Sequence, residues 1–247
     1  MSEKKQSYCA GCSEAELKLF EPAIKKLISL ANEEILPRFL AGTEVFDKKD
    51  HTPVTAADRG AEKVMREWIE AHFPTHGIFG EEFGIKEASG DSFPRYRWIL
   101  DPIDGTTNFV SRHRDFAISL AYYHKQQPVF GIVYDVMRDE LFLGVHGKGA
   151  WKNGERMAQL RKKEARECIL DAGLHVLGYI KRTYGNDPLT MQDEFRAHRY
   201  LGCASLSIVQ IAQGLSDLYL SAHVKCWDYA AAAIILEEVQ GAYSIQN

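Results

Sequence analysis

The chain has 247 residues, of which 45% are hydrophobic and 26% charged, a composition typical of a folded globular protein that can bury a sizeable core. Its formal net charge of −4 gives no reason to expect nucleic acid or a membrane surface as a partner. The longest apolar runs, such as residues 229–236, are far shorter than a membrane span.

The N-terminal segment and the cysteines indicate the cellular compartment in which the protein is expected. Residues 1–12 contain no apolar core of a signal peptide, so nothing there suggests export. The chain has five cysteines, an odd number spread over its length, which does not predict a disulfide framework. Cys9 and Cys12 form a C-x-x-C pair without a second such pair, and we interpret them as reduced thiols in a polar leader. We therefore expect a cytoplasmic protein.

Two helices are predicted ahead of the first buried strand. The first begins near Ser13, where Ser-Glu-Ala-Glu matches a capping box, and Pro22 is expected to kink or restart it. Its apolar positions keep a helical spacing: Leu17, Phe20, Ile24, Leu27, Ile28, Ala31 and Ile35. The second helix follows Thr55, carries Asp58 in its first turn and ends before Pro74.

The pattern then changes from helix to strand. A short apolar run at Gly77–Gly80 is followed by Glu81, and a second run at 98–100 stops at Asp101. Three β-like runs come next, separated by connections too short for crossover helices: 116–123, 129–136 and 140–145. They are predicted to be antiparallel neighbours.

The last third of the chain alternates between strands and helices. Strands are predicted at 168–172, 199–201 and 217–220, and helices between the first two strands, at 205–214 and from 227 to about 239. Helices flanking antiparallel-rich sheets indicate a layered α+β fold. The basic, polar stretch 156–166 suggests a boundary, so we expect an N-terminal part, 1–155, and a C-terminal part, 156–247, packed as one compact unit.

Four acids lie at the edges of these predicted elements. Glu81 and Asp101 each follow an apolar run, Asp104 comes three residues later, and Asp228 lies in the first turn of the last helix. Each acid alone has a structural explanation, as a turn or helix-start residue. Together, carboxylates from separate segments are what a shared site for a hard cation such as Mg²⁺ requires. Pro102 stiffens the link between the two neighbouring aspartates, so both can point into one site.

The two residues that directly follow the acid pair, Gly105 and Thr106, indicate a second function for this segment. Gly105 and Thr106 present backbone N–H groups at a predicted helix start, which is an arrangement that binds phosphate. The Thr106 hydroxyl can hold a water beside the metals. Haloacid dehalogenase-like phosphatases place D-x-D-G-T at a strand end, but this chain has D-x-x-D-G-T, one residue longer and about 100 residues into the chain.

A second family fits better. The stretches "GEE" at 80–82, "DPIDGTTNF" at 101–109 and "WDYAAAAIILEE" at 227–238 together resemble the inositol monophosphatase family, lithium-sensitive Mg²⁺-dependent phosphomonoesterases. "PVTAADRGAE" at 53–62 and "GIVYDVMRDELFLGVHGKGAWKNGE" at 131–155 are also similar to that family. The resemblance implies a five-layer αβαβα sandwich of the inositol monophosphatase and fructose-1,6-bisphosphatase type, a homodimer, and a site for two or three Mg²⁺ ions.

The resemblance also implies roles for individual residues. It implies these metal ligands: Glu81, Asp101, Asp104, Asp228 and the backbone carbonyl of Ile103. It implies that Thr106 hydrogen-bonds the nucleophilic water, with Asp58 as its orienting partner and Glu81 among the catalytic groups. It implies phosphate and substrate contacts from these residues: Gly105, Thr106, Asp104, Asp228 and Ser221. Water bound to such a metal pair attacks in line, without a covalent enzyme intermediate.

Departures from the family pattern concern the substrate. Ser221 stands where members that act on inositol phosphates commonly have a Glu, and Ala232, Ala233 and Gln240 stand in a usually glycine-rich segment. We expect hydrolysis of inositol 1-phosphate or a related sugar or polyol phosphate. Histidinol phosphate, fructose 1,6-bisphosphate and adenosine 3′,5′-bisphosphate stay open as substrates. A regulatory or scaffold protein that keeps the fold without turnover is the alternative from a different class.

Overall fold

The computed structural model describes residues 14–41, 45–47, 53–87, 95–185, 187, 190 and 193–245. Cys9, Cys12 and the capping box predicted at Ser13 lie outside them. The helices are α1 (Glu14–Ala41), α2 (Ala56–His72), α3 (Thr106–Arg112), α4 (Leu174–Tyr184), α5 (Ala204–Ala212) and α6 (Cys226–Glu238).

The strands make three sheets. The bounds are β1 (Val45–Asp47), β2 (Pro53–Thr55), β3 (Gly77–Gly80), β4 (Gly84–Lys86), β5 (Tyr96–Asp104), β6 (Ala117–His124), β7 (Gln127–Asp135), β8 (Glu140–Val145), β9 (Gly149–Lys152), β10 (Glu155–Arg156), β11 (Ile169–Ala172), β12 (Ala197–Arg199) and β13 (Leu218–Leu220). β1 and β2 pair with each other, and the eight strands from β3 to β10 form the main sheet. β11, β12 and β13 form a three-stranded sheet.

Helix α1 is continuous from Glu14 to Ala41, so it does not restart at Pro22. Pro22 and Pro37 both lie inside the helix. A proline in a helix interior costs about 3 kcal/mol. The buried face of α1 packs on the main core and offsets that cost; its members are Phe20, Ile24, Leu27, Ala31 and Ile35.

The main sheet has the order β10-β9-β8-β7-β6-β5-β3-β4. The predicted antiparallel neighbours are confirmed as β6, β7 and β8, and β3 is parallel to β5. β5 was predicted to stop at Asp101, but it runs through Asp104. Its pairing with β6 shifts register between these acids, because Asp101 is opposite Ser119 whereas Asp104 is opposite Ala117. Residues three apart in a regular strand face opposite sides, and this irregularity allows both carboxylates to approach one another.

Helix α6 packs very close to the face of the main sheet that lies opposite α1. A Cβ atom on Gly131 would lie 2.2 Å from the Ala231 carbonyl oxygen, and one on Gly144 would lie 2.7 Å from the Ile235 Cα. The run of buried alanines in α6 therefore matches glycines in β7 and β8. This contact fixes the position of the helix that carries Asp228 in its first turn.

The three-stranded sheet is parallel, in the order β12-β11-β13. β12 ends two residues earlier than the predicted 199–201, because the Leu201 amide donates to the Asp171 carboxylate and Gly202 turns the chain with φ +80°. In this order, the connection from β11 to β12, which contains α4, and the connection from β12 to β13, which contains α5, run across the small sheet in opposite directions. Because both connections are expected to be right-handed, α4 and α5 lie on opposite faces of the small sheet. The layers are α1/α2, the main sheet, α5/α6, the small sheet and α4, which confirms the layered α+β fold.

Among the described residues, no helix combines the length and the apolar character needed to cross a membrane.

Candidate metal centre

Three of the predicted acids meet at one place. Glu81 follows β3, Asp101 lies in β5 and Asp228 lies in the first turn of α6. Each offers a carboxylate oxygen, and these oxygens all lie within 4.8 Å of one another. Asp101 is only 1% exposed. We call these three residues the acid cluster. Segments almost 150 residues apart in the chain are brought together here.

Asp104 lies beside the acid cluster, with its carboxylate held by the start of α5. The amides of Ala204 and Ser205 donate to its oxygens at 3.2 and 2.5 Å, and the Cys203 thiol donates at 3.1 Å. A carboxylate at a helix N-terminus is stabilised by these otherwise unpaired N–H groups. This contact was not among the predictions from the sequence, although a predicted helix start near 205 was a signal for an anion partner.

Burial and mutual repulsion disfavour the charged form of these acids. The pKa of Asp101 is raised well above its usual value by burial and then by the charges of Glu81, Asp104 and Asp228. Burial, followed by the charges of Asp104 and Glu81, raises the pKa of Asp228 to about 8. A divalent cation would remove this repulsion. All the candidate ligand atoms of the acid cluster are carboxylate oxygens, which suit Mg²⁺, so the residues present fit the ion that the resemblance implies.

Asp58 and Thr106 are in direct contact, as the predicted pairing requires. The Thr106 hydroxyl lies 3.1 Å from Asp58 Oδ1 and 3.1 Å from the Ile103 carbonyl oxygen. Asp58 also caps α2, because its Oδ2 accepts from the Thr55 amide at 2.8 Å and the Thr55 hydroxyl at 2.6 Å. Burial raises the pKa of Asp58 to about 6, against hydrogen bonds from Thr55 that lower it. Asp58 therefore combines a structural role with a position next to the site.

Gly105 makes the turn from β5 into α3. Its φ is +90°, and a Cβ atom there would lie 3.0 Å from the Cys203 Cβ and 3.1 Å from the Asp115 carbonyl oxygen. No side chain caps the start of α3 in the described part of the chain. The glycine is thus required both by its backbone angle and by the close approach of the α5 segment.

Glu62 of α2 holds the turn that carries Glu81, a role the sequence analysis missed. Its carboxylate is fully buried, accepts from the Glu82 amide at 2.7 Å and the Phe83 amide at 3.2 Å, and pairs with Arg66 Nε at 2.7 Å. A buried carboxylate with this many donors is fully satisfied. The signal in the sequence was an acid four residues after Asp58, on the same face of the helix.

Ser221 lies just past β13. It hydrogen-bonds the Tyr219 side chain, whose pKa is raised first by burial and then, after that hydrogen bond lowers it, by the charges of Asp104, Asp171 and Asp228. The substrate contact that the resemblance implies for Ser221 stays a prediction.

The fold is layered α+β, and carboxylates carried by its main sheet and by α6 meet at one place in it. The model of the inositol monophosphatase family matches residues 17–244. The chain belongs to this family. It is a phosphoric monoester hydrolase by that membership and by the relatives it resembles.

Three curated relatives give the range of similarity. The inositol-1-monophosphatase of Bacillus subtilis is 35% identical over 194 residues, which is 77% of this chain and 71% of that protein. The fructose-1,6-bisphosphatase/inositol-1-monophosphatase of Aquifex aeolicus is 30% identical over 231 residues, covering 90% of this chain and 84% of that protein. The Nus factor SuhB of Escherichia coli is 34% identical over 202 residues, covering 81% and 74%.

Solved structures have the same fold. SaIMPase-II with bound inositol monophosphate is 28% identical, has a TM-score of 0.73 and covers 89% of this chain and 79% of its own. The same protein with bound 2′AMP is 28% identical with a TM-score of 0.74, covering 90% and 80%. An IMPase/NADP phosphatase complexed with Mg²⁺ and phosphate has a TM-score of 0.79 at 23% identity, covering 92% and 83%, and supports the fold alone.

The raised pKa values predict how stability depends on pH when no divalent cation is present. Asp58 and Asp228 have folded-state pKa values of about 6 and about 8 against an ordinary 3.8. At these two groups the folded state binds more protons than the unfolded state, so their contribution to stability is fully present below about pH 4 and is lost as pH rises to about 8. Urea unfolding in EDTA should give a free energy of unfolding that falls between roughly pH 5 and pH 8.

The Asp228→Asn variant is the control for that measurement, because it removes the group that titrates at the upper end. Its free energy of unfolding should fall less than that of the wild type between roughly pH 6.5 and pH 8. Equal slopes for the two proteins over this window would contradict the assignment of a raised pKa to Asp228.

Proposed function

We propose that this protein hydrolyses a small phosphomonoester by direct attack of water, with two or three Mg²⁺ ions at the acid cluster. The observation that carries the proposal is the convergence of Glu81, Asp101 and Asp228 oxygens within 4.8 Å. A structural role does not require three carboxylates to be held against their own repulsion. Bound Mg²⁺ would supply positive charge for the phosphate oxygens and make water more acidic.

The protein's own groups then hold and orient the reactants. Glu81, Asp101 and Asp228, with Asp104 and the Ile103 carbonyl, would hold the ions. The Thr106 hydroxyl, fixed between Asp58 and the Ile103 carbonyl, would orient the attacking water, and Asp58 would accept its proton through this contact. The Gly105 and Thr106 amides at the start of α3 would bind the phosphate oxygens. No side chain acts as a nucleophile.

The substrate belongs to the small phosphate esters. The relatives are named for inositol phosphate and for fructose bisphosphate, and SaIMPase-II is described with inositol monophosphate and with 2′AMP. These names support a shared phosphate chemistry with a variable leaving group. We propose inositol 1-phosphate or a related sugar or polyol phosphate, with histidinol phosphate, fructose 1,6-bisphosphate and adenosine 3′,5′-bisphosphate as the other candidates. The homodimer, the lithium sensitivity and the cytoplasmic location stay predictions.

A second candidate is a regulatory or scaffold role without meaningful turnover. The observation in its favour is the 34% identity to a protein named as Nus factor SuhB. The contact between Thr106 and Asp58 favours catalysis, because a purely structural protein would not need a hydroxyl oriented beside the acid cluster. The two candidates differ in whether the purified protein releases phosphate.

Phosphate release from the four candidate esters, and from inositol 1-phosphate first, tests the proposal. Wild-type protein should release phosphate in Mg²⁺ and lose this activity in EDTA, because the buried acids cannot bind the substrate phosphate without cations. Asp228→Asn, checked for folding by circular dichroism, should be inactive on every ester. A wild-type protein that folds, binds Mg²⁺ and releases no phosphate from any of them would support the regulatory role instead.

Replacement of Thr106 tests the water-orienting hydroxyl. Thr106→Ala should lower kcat by about 100-fold with little change in KM, because the hydroxyl acts in proton transfer and not in substrate binding. Thr106→Ser keeps the hydroxyl and should retain most of the activity. Steady-state kinetics in Mg²⁺ would measure both variants. Equal losses in the Ala and Ser variants would mean that the methyl group, and therefore packing, is what matters.

A further inference from the structure

Three exposed aromatic side chains lie at one edge of the small sheet, and the proposed reaction does not use them. His175 follows β11, Tyr200 follows β12 and His223 follows β13. Because these strands are parallel and in register, their carboxyl ends meet at the same edge. The His175 and His223 rings are stacked with centres 5.7 Å apart and planes inclined by 24°. We call His175, Tyr200 and His223 the aromatic platform.

The local backbone brings the platform together. The rings of His175 and Tyr200 are 6.1 Å apart, in an edge-on arrangement. A Cβ atom on Gly173 would lie 2.7 Å from atoms of both rings, so the absence of a side chain there lets both rings lie against the backbone. Tyr200 is nevertheless 60% exposed, and both histidines are exposed as well. Rings that are clustered yet left open to solvent indicate a binding surface more than a core.

The platform adjoins the acid cluster along two chain segments. Tyr200 is three residues before Cys203, whose thiol donates to Asp104 at 3.1 Å. His223 is two residues before Lys225, whose amide donates to Asp228 at 2.7 Å. Since three residues span at most about 10 Å, the Cα atoms of Tyr200 and His223 lie within about that distance of the Cα atoms of the two residues that contact Asp104 and Asp228. A phosphate at the acid cluster would have the platform within reach of its leaving group.

We propose that the aromatic platform binds a planar heteroaromatic group, such as a nucleobase, on the leaving-group side of the phosphomonoester. The proposal rests on the proposed hydrolysis, and it names the substrate class. Exposed rings offer π faces on which a planar ring stacks, whereas a polyol offers hydroxyls that need polar partners. Ser221 stands where the resemblance implied a hydroxyl-binding carboxylate, and its single hydroxyl offers a polyol fewer acceptors than a carboxylate would.

Kinetic discrimination between two esters tests this proposal. The probes are adenosine 2′-monophosphate, which has a base, and glycerol 2-phosphate, which has none. In wild-type protein with Mg²⁺, kcat/KM should be higher for the adenosine ester. Tyr200→Ala and His223→Ala should each lower the ratio of the two kcat/KM values by about 10-fold, the loss expected for one stacked base. Tyr200→Phe keeps the ring and should keep the ratio. Tyr184→Ala, an exposed tyrosine at the end of α4, is the matched control and should also keep it.

A binding measurement separates this proposal from the proposed hydrolysis. Saturation-transfer NMR in EDTA with adenosine, which has the base but no phosphate for the acids to repel, should show transfer to the base protons in wild-type protein and loss of it in Tyr200→Ala. Transfer without turnover of any ester would keep the platform and overturn the hydrolysis. Wild-type protein without transfer to the base, or an unchanged kinetic ratio in both alanine variants, would overturn the platform. An unchanged ratio together with a lower sedimentation mass for Tyr200→Ala would assign these rings to contact with a second copy of the chain.

Discussion

Mutual repulsion among one buried and two half-buried carboxylates is the constraint around which this structure is arranged. Glu81, Asp101 and Asp228 lie within 4.8 Å of one another, and Asp104 adds its charge from the side. Close like charges in a buried site cost free energy, and this cost would be relieved if the chain moved the acids apart. The fold must therefore hold each of them from a rigid element. The cost becomes useful only when a cation binds.

Each acid has its own support. The Glu81 turn is held by the buried Glu62 carboxylate, which accepts from the amides of Glu82 and Phe83. Asp104 accepts from the start of α5, and Asp228 is placed by the close contact between α6 and the glycines of the main sheet. Rigid positioning before the ion arrives lowers the free-energy cost of binding it. The aromatic platform lies on the small sheet, so the two layers contribute different parts of the site.

The sequence predicted the chemistry of the site better than its geometry. The order of the acids and their places at element edges predicted a metal centre, and the antiparallel β6–β8 region followed from short connections. The register shift in β5 was not predictable, because the pairing of Asp101 and Asp104 depends on the partner strand. The same holds for Glu62, whose partners lie 20 and 21 residues away in the chain. The ends of β12 depended on a tertiary contact with Asp171 in the same way.

The most direct test of this account is the stability of Asp101→Asn with and without Mg²⁺. In EDTA, the variant should have a higher free energy of unfolding than the wild type, because one repelling charge is gone while the amide oxygen can still accept from the Ile103 amide. Glu155→Gln removes an exposed charge and should change little. Mg²⁺ at about 100 times its Kd should raise wild-type stability by about 2.7 kcal/mol and should raise that of Asp101→Asn much less. A destabilised Asp101→Asn in EDTA that keeps the full wild-type response to Mg²⁺ would contradict the account.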